Sequence, residues 1–588
     1  FQNNLMGAAA AAASSGGGGT TIYDYQISNS YRSMTGVGYF SRTPSSSGNR
    51  RVFTISFWIK YTGQTFANDQ GESDVIATAT HSSTNNHVDS ISIGDNGFLR
   101  FSAQGGIQNV VTTTAQLRDL SAWYHILVAY DTTQGTAANR VKVYINGDLQ
   151  TVTGDYPAQN HEMGWCRAGT HAIGRFTGAS YTRIGNFYMT NFAIQDGTAS
   201  APTVFGTSTN GVWTPNDLSD LTWGTTGTWL EFETSGDLGN DTSGNNNDWT
   251  NNSVATHDQM LDSPTFSADD GNGGNFSTLN PLQKMSIGTF SEGNLKYALS
   301  GEDAFATTQA LTTKSYCEVR LDSLGNYGGV LGFGSGEGIN GYYDGVTFQT
   351  NYSSGALYIY QGSSDISSGN IGGVVGAGSV VMMAYDPATY KWWVGVDGTW
   401  RSSGNPATGA NPIYTGSATQ FENTGGVFWK GWKGGANGMT VTFNFGQDGT
   451  FGGQETAGGN ADDTGYGNFL YDVPAGFLAN CTGNVLVADA IDPAQTSDAY
   501  PSKVFSAITY TGTGSEKAVA VGWQPDLTWV KERSGVNDHK LTDSVRGATK
   551  ALESNTDAAE TTDAQGVKAF TSTGFTLGTD AVYNNNTD

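Results

Sequence analysis

Two glutamates, Glu231 and Glu233, are the nearest approach in the chain to a hydrolytic pair. On a β-strand they share one face with Trp229, while Leu230 and Phe232 fill the other. Glycoside hydrolysis needs two carboxylates roughly 5–9.5 Å apart, astride the sugar. No Asp stands between the two, and ordinary strand alternation explains the pattern, so no catalysis is assigned there. The seven histidines never fall in a His-x-x-x-His or His-Glu-x-x-His spacing, which would set metal ligands on one helix face. His125 sits mid-strand and reads as a satisfied core residue, not a general base. The Gly-rich stretch 328–338 lacks the Lys-Ser or Lys-Thr pair that holds phosphate. Any chain this rich in Ser contains the parts of a serine triad, but no nucleophile elbow marks one. The sequence predicts no catalytic residues and a protein that is not an enzyme.

Two binding chemistries stay open. Asp237, Asn240, Asp241 and Asp248, interspersed with Gly239 and Gly244, offer the hard oxygen donors that Ca2+ takes. The loop has no EF-hand spacing and no Glu at its twelfth position, and a turn held by Asx hydrogen bonds is the favoured explanation. No cofactor is expected, with Ca2+ the one exception left open. Trp165, Tyr181, Trp213, Tyr342 and Tyr343 lie in Gly-rich surroundings, where aromatic faces stack on sugars. Yet 14 Trp and 27 Tyr are also what two large sandwich cores require. Ligand-binding and metal-binding residues are therefore left unassigned.

The elements that must position these residues belong to a chain of 588 residues, long enough for about three or four domains. Charged residues are 14%, against roughly 25% in typical globular proteins. That leaves too little Glu and Lys for a coiled coil. Gly numbers 81 without a strict triplet repeat, which excludes collagen. Aromatics at 12% are enough to build cores, so disorder throughout is excluded. The net charge of −25 argues against a nucleic-acid surface and against binding anionic membrane. No apolar run is long enough for a transmembrane helix, and no Lys or Arg precedes Arg32, so a signal peptide is not expected. Cys166, Cys317 and Cys481 are odd in number and scattered, which reads as buried free thiols in a reducing compartment.

Many short strands and Gly-rich turns predict an all-β chain of tandem β-sandwiches. In 52–60, Phe53, Ile55, Phe57 and Ile59 share one face and Thr54, Ser56 and Trp58 the other, the pattern of a half-buried strand. Residues 123–130 are apolar on both faces. Asn146-Gly147 after 140–145 and Asp397-Gly398 after 391–396 are tight hairpin signals. The second copy has strand 380–385 ending in Ala384-Tyr385-Asp386, as the first ends in Ala129-Tyr130-Asp131. The stretch 235–284, dense in Asn, Asp, Gly and Ser over 235–270, reads as a linker or an ordered surface loop. Strand signals return at 504–510 and 518–531, and 543–553 reads as a short helix. Residues 1–24 form a low-complexity, small-residue segment, either a plain flexible leader or an anchor that threads into a neighbouring protein, and further sequence is expected beyond Asp588.

Ser41-Arg42-Thr43-Pro44-Ser45 through Phe57-Trp58-Ile59-Lys60, with Trp123-Tyr124-His125-Ile126 and Val141–Ile145, resembles the laminin-G-like, concanavalin-A-like jelly rolls of tailed-bacteriophage virion proteins. So does Asp241-Thr242-Ser243-Gly244 through Trp249, running into Asp262-Ser263-Pro264-Thr265. Trp392-Trp393-Val394-Gly395, Asp397-Gly398-Thr399-Trp400, Asn444-Phe445-Gly446-Gln447 and Pro474-Ala475-Gly476-Phe477 resemble the SPRY sandwich. Thr511-Gly512-Thr513-Gly514 through Gln524-Pro525-Asp526 and Asp543–Lys550 is similar to a module that follows these two in phage proteins. Composition and resemblance together give a leader at 1–24, a jelly roll at 25–234, a linker at 235–284, a SPRY-like sandwich at 285–480 and a β-rich module at 481–588. The resemblance further implies a non-enzymatic virion protein, a tail fibre or other appendage, assembled in host cytoplasm and displayed on the particle surface. Its partners would be other virion proteins, further copies of itself in a homotrimer, and host-surface glycan, with no nucleic acid and no membrane insertion. A polysaccharide-degrading tailspike and a head decoration protein are the alternatives.

Overall fold

The computed structural model describes residues 23–33, 38–63, 74–81, 88–94, 97–103, 110–176, 185–209, 212–284, 288–299, 303–324, 329–335, 345–350, 356–361, 364–365, 371–372, 374–417, 426–433, 438–484 and 504–585. The leader 1–24 falls outside these residues except for Tyr23 and Asp24. The chain is nearly all β and divides into two compact units, 1–486 and 487–588.

The first unit holds two sandwiches. In the first sandwich, one sheet runs Asp148–Leu149, Val141–Ile145, Trp123–Asp131, Val52–Tyr61, Phe187–Asp196, Ser30–Ser33 and Gln259–Met260, with Thr228–Leu230 also paired to Phe187–Asp196. The facing sheet runs Val152–Gly154, Val110–Gln116, Phe98–Ser102, Val88–Ile93, Asp74–Thr80, His171–Ile173, Tyr39–Arg42 and Thr250–Asn252. Phe53, Ile55, Phe57 and Ile59 point between the sheets, beside Ile126, Val128 and Phe192. The opposite face of that strand is not solvated, contrary to the half-buried pattern. Thr54, Ser56, Trp58 and Lys60 are all buried. Chain returning through 202–232 packs Phe205, Leu218, Trp223 and Trp229 over this face, and Ile27, Trp123, Tyr188 and Met260 cover Trp58. Alternation marks which side chains are polar, whereas burial depends on chain more than a hundred residues away.

The second sandwich repeats the plan. One sheet runs Leu279–Lys284, Asp303–Thr307, Val427–Lys433, Gly329–Ser335, Gly345–Thr350, Leu357–Gln361 and Ser364–Asp365. The other runs Thr289–Ser291, Lys296–Leu299, Met439–Asn444, Ser315–Ser323, Val380–Asp386, Lys391–Val396 and Thr399–Trp400. Val319, Val381, Trp392, Trp429 and Phe443 fill the space between. Both hairpin signals form. Ile145 pairs with Asp148 and Val396 with Thr399. The intervening residues have positive φ, 49° and 83° at Asn146-Gly147 and 49° and 78° at Asp397-Gly398, the two-residue turn that matches strand twist.

The stretch 235–284 is not a linker. Thr250–Asn252 pairs with Tyr39–Arg42, Gln259–Met260 pairs with Ser30–Ser33, and Leu279–Lys284 opens the second sandwich. Its polar side chains satisfy buried backbone: the Ile27 carbonyl accepts from Ser263 Oγ at 2.7 Å, Thr265 Oγ1 at 3.1 Å and Asn272 Nδ2 at 2.7 Å. A composition that suggests solvent-exposed loop is here used for internal hydrogen bonding.

The second unit contains a sheet of Lys517–Ala520, Gly574–Leu577 and Val567–Thr571, and a sheet of Leu527–Val530, Lys540–Asp543, Lys550–Glu553 and Thr561–Thr562. Its small core is Val519, Val530, Val567, Phe575, Leu577 and Tyr583. The helix expected over 543–553 is instead a turn at 544–549 followed by the strand Lys550–Glu553, which pairs back on Lys540–Asp543 with Lys540 opposite Glu553. Gly547 and Thr549 have φ of 99° and 72°, which interrupts a helix, and Arg546 closes the turn on Asp543. No strand forms over 504–510; residues 504–509 run exposed and Tyr510 is half-buried against the small core.

Candidate functional site

The strongest catalytic look-alike is Ser56, His125 and Trp213. Ser56 and His125 sit on neighbouring strands in a diagonal relation, since Ser56 pairs with Leu127 and Trp58 with His125. Ser56 Oγ lies 2.8 Å from His125 Nε2, the geometry of a nucleophile and its base. Trp213 Nε1 donates to His125 Nδ1 at 3.0 Å. An indole N–H is donor only, so Nδ1 must be the bare acceptor and Nε2 carries the proton toward Ser56. That tautomer cannot take the serine proton. Burial pushes the imidazole pKa down to about 3, which keeps it neutral. The group is a satisfied core histidine.

The Glu231–Glu233 pair is not on one strand. The strand ends at Leu230, and Phe232 turns through φ 60° into the core, so the expected shared face does not exist. Glu231 accepts from Tyr25 Oη at 2.5 Å. Burial, then the nearby Glu231, raises the Glu233 pKa.

The Asp237–Asp248 loop is organised around Asp241. Its Oδ1 accepts from the backbone N–H of Trp229 at 2.8 Å and Ser243 at 3.1 Å. Its Oδ2 accepts from Ser243 Oγ at 2.8 Å and the Asn247 N–H at 2.7 Å. Asp248 accepts from the Asp241 N–H, and Asn251 donates to Asp237. Both oxygens of the central carboxylate are thus engaged by protein donors. Among the described residues no cluster of three His, Cys, Asp or Glu is placed to hold a metal.

Of the aromatic candidates, Trp165 is fully buried in the first core, and Trp213 is half-buried against Gly147 and Gly206. Trp165 presents no free face, and Trp213 stacks on His125. Tyr181, Tyr342 and Tyr343 lie outside the described residues, as do Gly328 and 336–338 of the Gly-rich stretch. All three thiols are buried and free, and burial pushes Cys166 up to about 12.

The exposed aromatic surface is elsewhere, in the second unit. A cleft of about 1300 Å3 is lined by Phe505, Tyr510, Trp523, Leu527 and Trp529, among others. Leu527–Val530 is an edge strand with Thr528 and Val530 buried, which turns Leu527 and Trp529 outward. Phe505 is 74% exposed and Trp529 64%. Trp529 Nε1 donates to His539 Nδ1 at 2.9 Å, which fixes the indole plane. Ser506, Thr509, Gln524, Asp526 and Asn585 bring polar groups to the same walls. Sequence reasoning missed this site. The alternation Leu527-Thr528-Trp529-Val530 was visible, but which of its faces lacks a covering layer is a tertiary fact.

Residues 35–205 match the model of the concanavalin A-like lectin/glucanases superfamily, and residues 500–588 match that of a domain of unknown function (DUF7483). No curated protein sequence matches the chain. Among solved structures, a heptameric SAP-like pentraxin from Limulus polyphemus is 17% identical over 30% of this chain and 80% of its own, with a TM-score of 0.23. The SPRY domain of human HERC1 is 13% identical over 28% of this chain and 96% of its own, at 0.20. Domains LG4-5 of the mouse laminin alpha1 chain are 11% identical over 72% of this chain and 90% of their own, at 0.25. The family match gives the first sandwich a concanavalin A-like, lectin-type fold.

Proposed function

We propose that the chain is a non-enzymatic structural protein of a tailed-bacteriophage virion, a fibre or other surface appendage that touches host-surface glycan. The observation that carries the glycan part is the cleft of the second unit, where a fixed, exposed indole and a phenyl ring stand beside hydroxyl, amide and carboxylate groups. Sugars offer apolar ring faces to aromatics and hydroxyls to such polar groups. The lectin-type first sandwich suits the same role, and we read the second sandwich as SPRY-like on its Trp392-Trp393 and Asp397-Gly398 strands. The virion assignment rests on the resemblance of the jelly-roll and C-terminal motifs to phage proteins. The non-enzymatic reading is supported at two candidate groups, by the proton already held at His125 Nε2 and by the split Glu231–Glu233 pair. A symmetric homotrimer would multiply weak single-site contacts by avidity.

The test is binding of the purified full chain to host-surface polysaccharide by isothermal titration calorimetry. Trp529→Ala is expected to weaken binding roughly 2–10-fold per site, the worth of one aromatic contact. Release of reducing sugar would instead establish a hydrolase. No binding, or binding unchanged by Trp529→Ala, would overturn the assignment of this cleft.

A further inference from the structure

The outer face of the first sandwich buries a lysine against a carboxamide. Lys60, on the central strand Val52–Tyr61, is 1% exposed; Asp262 is 0% and Asn275 6%. Lys60 Nζ lies 2.7 Å from Asn275 Oδ1, 2.8 Å from Asp262 Oδ2 and 2.9 Å from the Phe276 carbonyl. The Nζ is 5.5 Å from the centre of the Tyr188 ring, and Trp123 Nε1 donates to Asp262 Oδ1 at 2.8 Å. The carboxamide is oriented from its far side, where Asn275 Nδ2 donates to the Ser121 carbonyl. Its backbone is held as well: the Asn275 N–H donates to Thr482 Oγ1, and its carbonyl accepts from Gln309 Nε2, each at 3.1 Å. Since the C=O bond is about 1.23 Å, Nζ is within about 4 Å of the Asn275 Cγ, close to the separation at which bound reactants attack.

We propose that Lys60 and Asn275 join in an intramolecular amide bond, with Asp262 as the proton carrier. The ion pair first neutralises itself, one Nζ proton passing to Asp262 Oδ2. The freed lone pair on Nζ attacks Asn275 Cγ; the N–C bond forms and the carbonyl π pair moves onto Oδ1. Asp262 delivers its proton to Nδ2 and takes the second Nζ proton. The carbonyl re-forms, the Cγ–Nδ2 bond breaks, and one ammonia leaves. No oxidant or reductant is required. Burial favours the starting forms this needs, since desolvation lowers the Lys60 pKa and raises that of Asp262. The product is a covalent tie from the central strand of the first sandwich to the segment that leads into the second.

Intact mass of the denatured full chain decides it. The expected result is a deficit of one ammonia in the folded protein, and a proteolytic fragment in which peptides containing residues 60 and 275 are joined. Lys60→Arg and Asn275→Ala should each restore the full mass. Asp262→Asn, which keeps the shape and removes the proton carrier, should leave the two peptides separate. Full mass in the natural protein overturns the proposal and leaves a buried ion pair. So does a deficit that maps to a succinimide at an Asn-Gly such as Asn146-Gly147, or one that persists in Lys60→Arg.

Discussion

Replacing Arg32 by Ala should cost the first unit far more than any surface charge. Arg32 is fully buried on Ser30–Ser33, and its guanidinium donates to Asp448 Oδ2 at 2.8 Å and to the His257 carbonyl at 3.1 Å, with Glu292 Oε2 at 3.3 Å. Burial opposes its charge, but Asp448 and then Glu292 outweigh that and hold its pKa above the ordinary arginine value. Removing one partner of a buried pair costs about 3–5 kcal/mol, because the other charge stays buried. Asp448 still accepts from Thr450 and Gly452, which places the expected loss near the lower bound, about 3 kcal/mol. At a slope of about 3 kcal/mol per molar urea, the unfolding midpoint should fall by about 1 M. Tryptophan fluorescence reads the transition. Arg51→Ala is the control: its bridge to Glu162 joins side chains 44% and 50% exposed, and such pairs contribute roughly 0–1 kcal/mol. If Arg32→Ala moves the midpoint no further than Arg51→Ala, the buried Arg32–Asp448 pair contributes no more to stability than an exposed bridge.

Acid should destabilise the first unit through its histidines. Burial lowers His125 to about 3 and His171 to about 4, so their stabilisation is complete above the unfolded value near 6.5 and is lost as pH falls toward 4. Each contributes a slope of up to about 1.4 kcal/mol per pH unit, and His125→Gln should flatten the measured stability between pH 6 and 4 by about one such slope. Asp241→Ala strips four hydrogen bonds from its loop and leaves Trp229 and Asn247 N–H groups unpaired; about 1–3 kcal/mol should be lost in denaturant titration. Added Ca2+ or chelator should leave the melting temperature nearly unchanged, and a rise of many degrees would mean the carboxylate opens to a metal. A thiol reagent should find Cys166, Cys317 and Cys481 unreactive in the native protein and all three reactive after unfolding.

Local signals carried much of this architecture. Asn146-Gly147 and Asp397-Gly398 named their own turns because only a few residues accept two successive positive φ values. The inward face of 52–60 followed from period-two alternation. Its outward face did not, because Ser56, Trp58 and Lys60 are covered by chain from 202–232 and 260–276. The same distance effect hid the role of 235–284, whose Asn and Ser side chains hydrogen-bond backbone more than 200 residues away. At 543–553 helix-forming residues mislead, since pairing with Lys540–Asp543 and the left-handed Gly547 override intrinsic preference. For the site, the core position of His125 was legible from its place in mid-strand, whereas the Trp213 N–H on its Nδ1 is purely spatial. The cleft around Trp529 was illegible because exposure depends on what fails to cover a strand.

The pairing of Ser30–Ser33 with Gln259–Met260 also sets a clock on synthesis. Ser30 Oγ reaches the Asp262 carbonyl 232 residues later in the chain. At about 5–20 residues per second on the ribosome, the opening strand waits on the order of ten seconds or more for its neighbour. Throughout that interval the side of Ser30–Ser33 that Gln259–Met260 will fill is an open edge, available to any other nascent strand. Copies emerging side by side on one message therefore meet while each still lacks the segment that closes it.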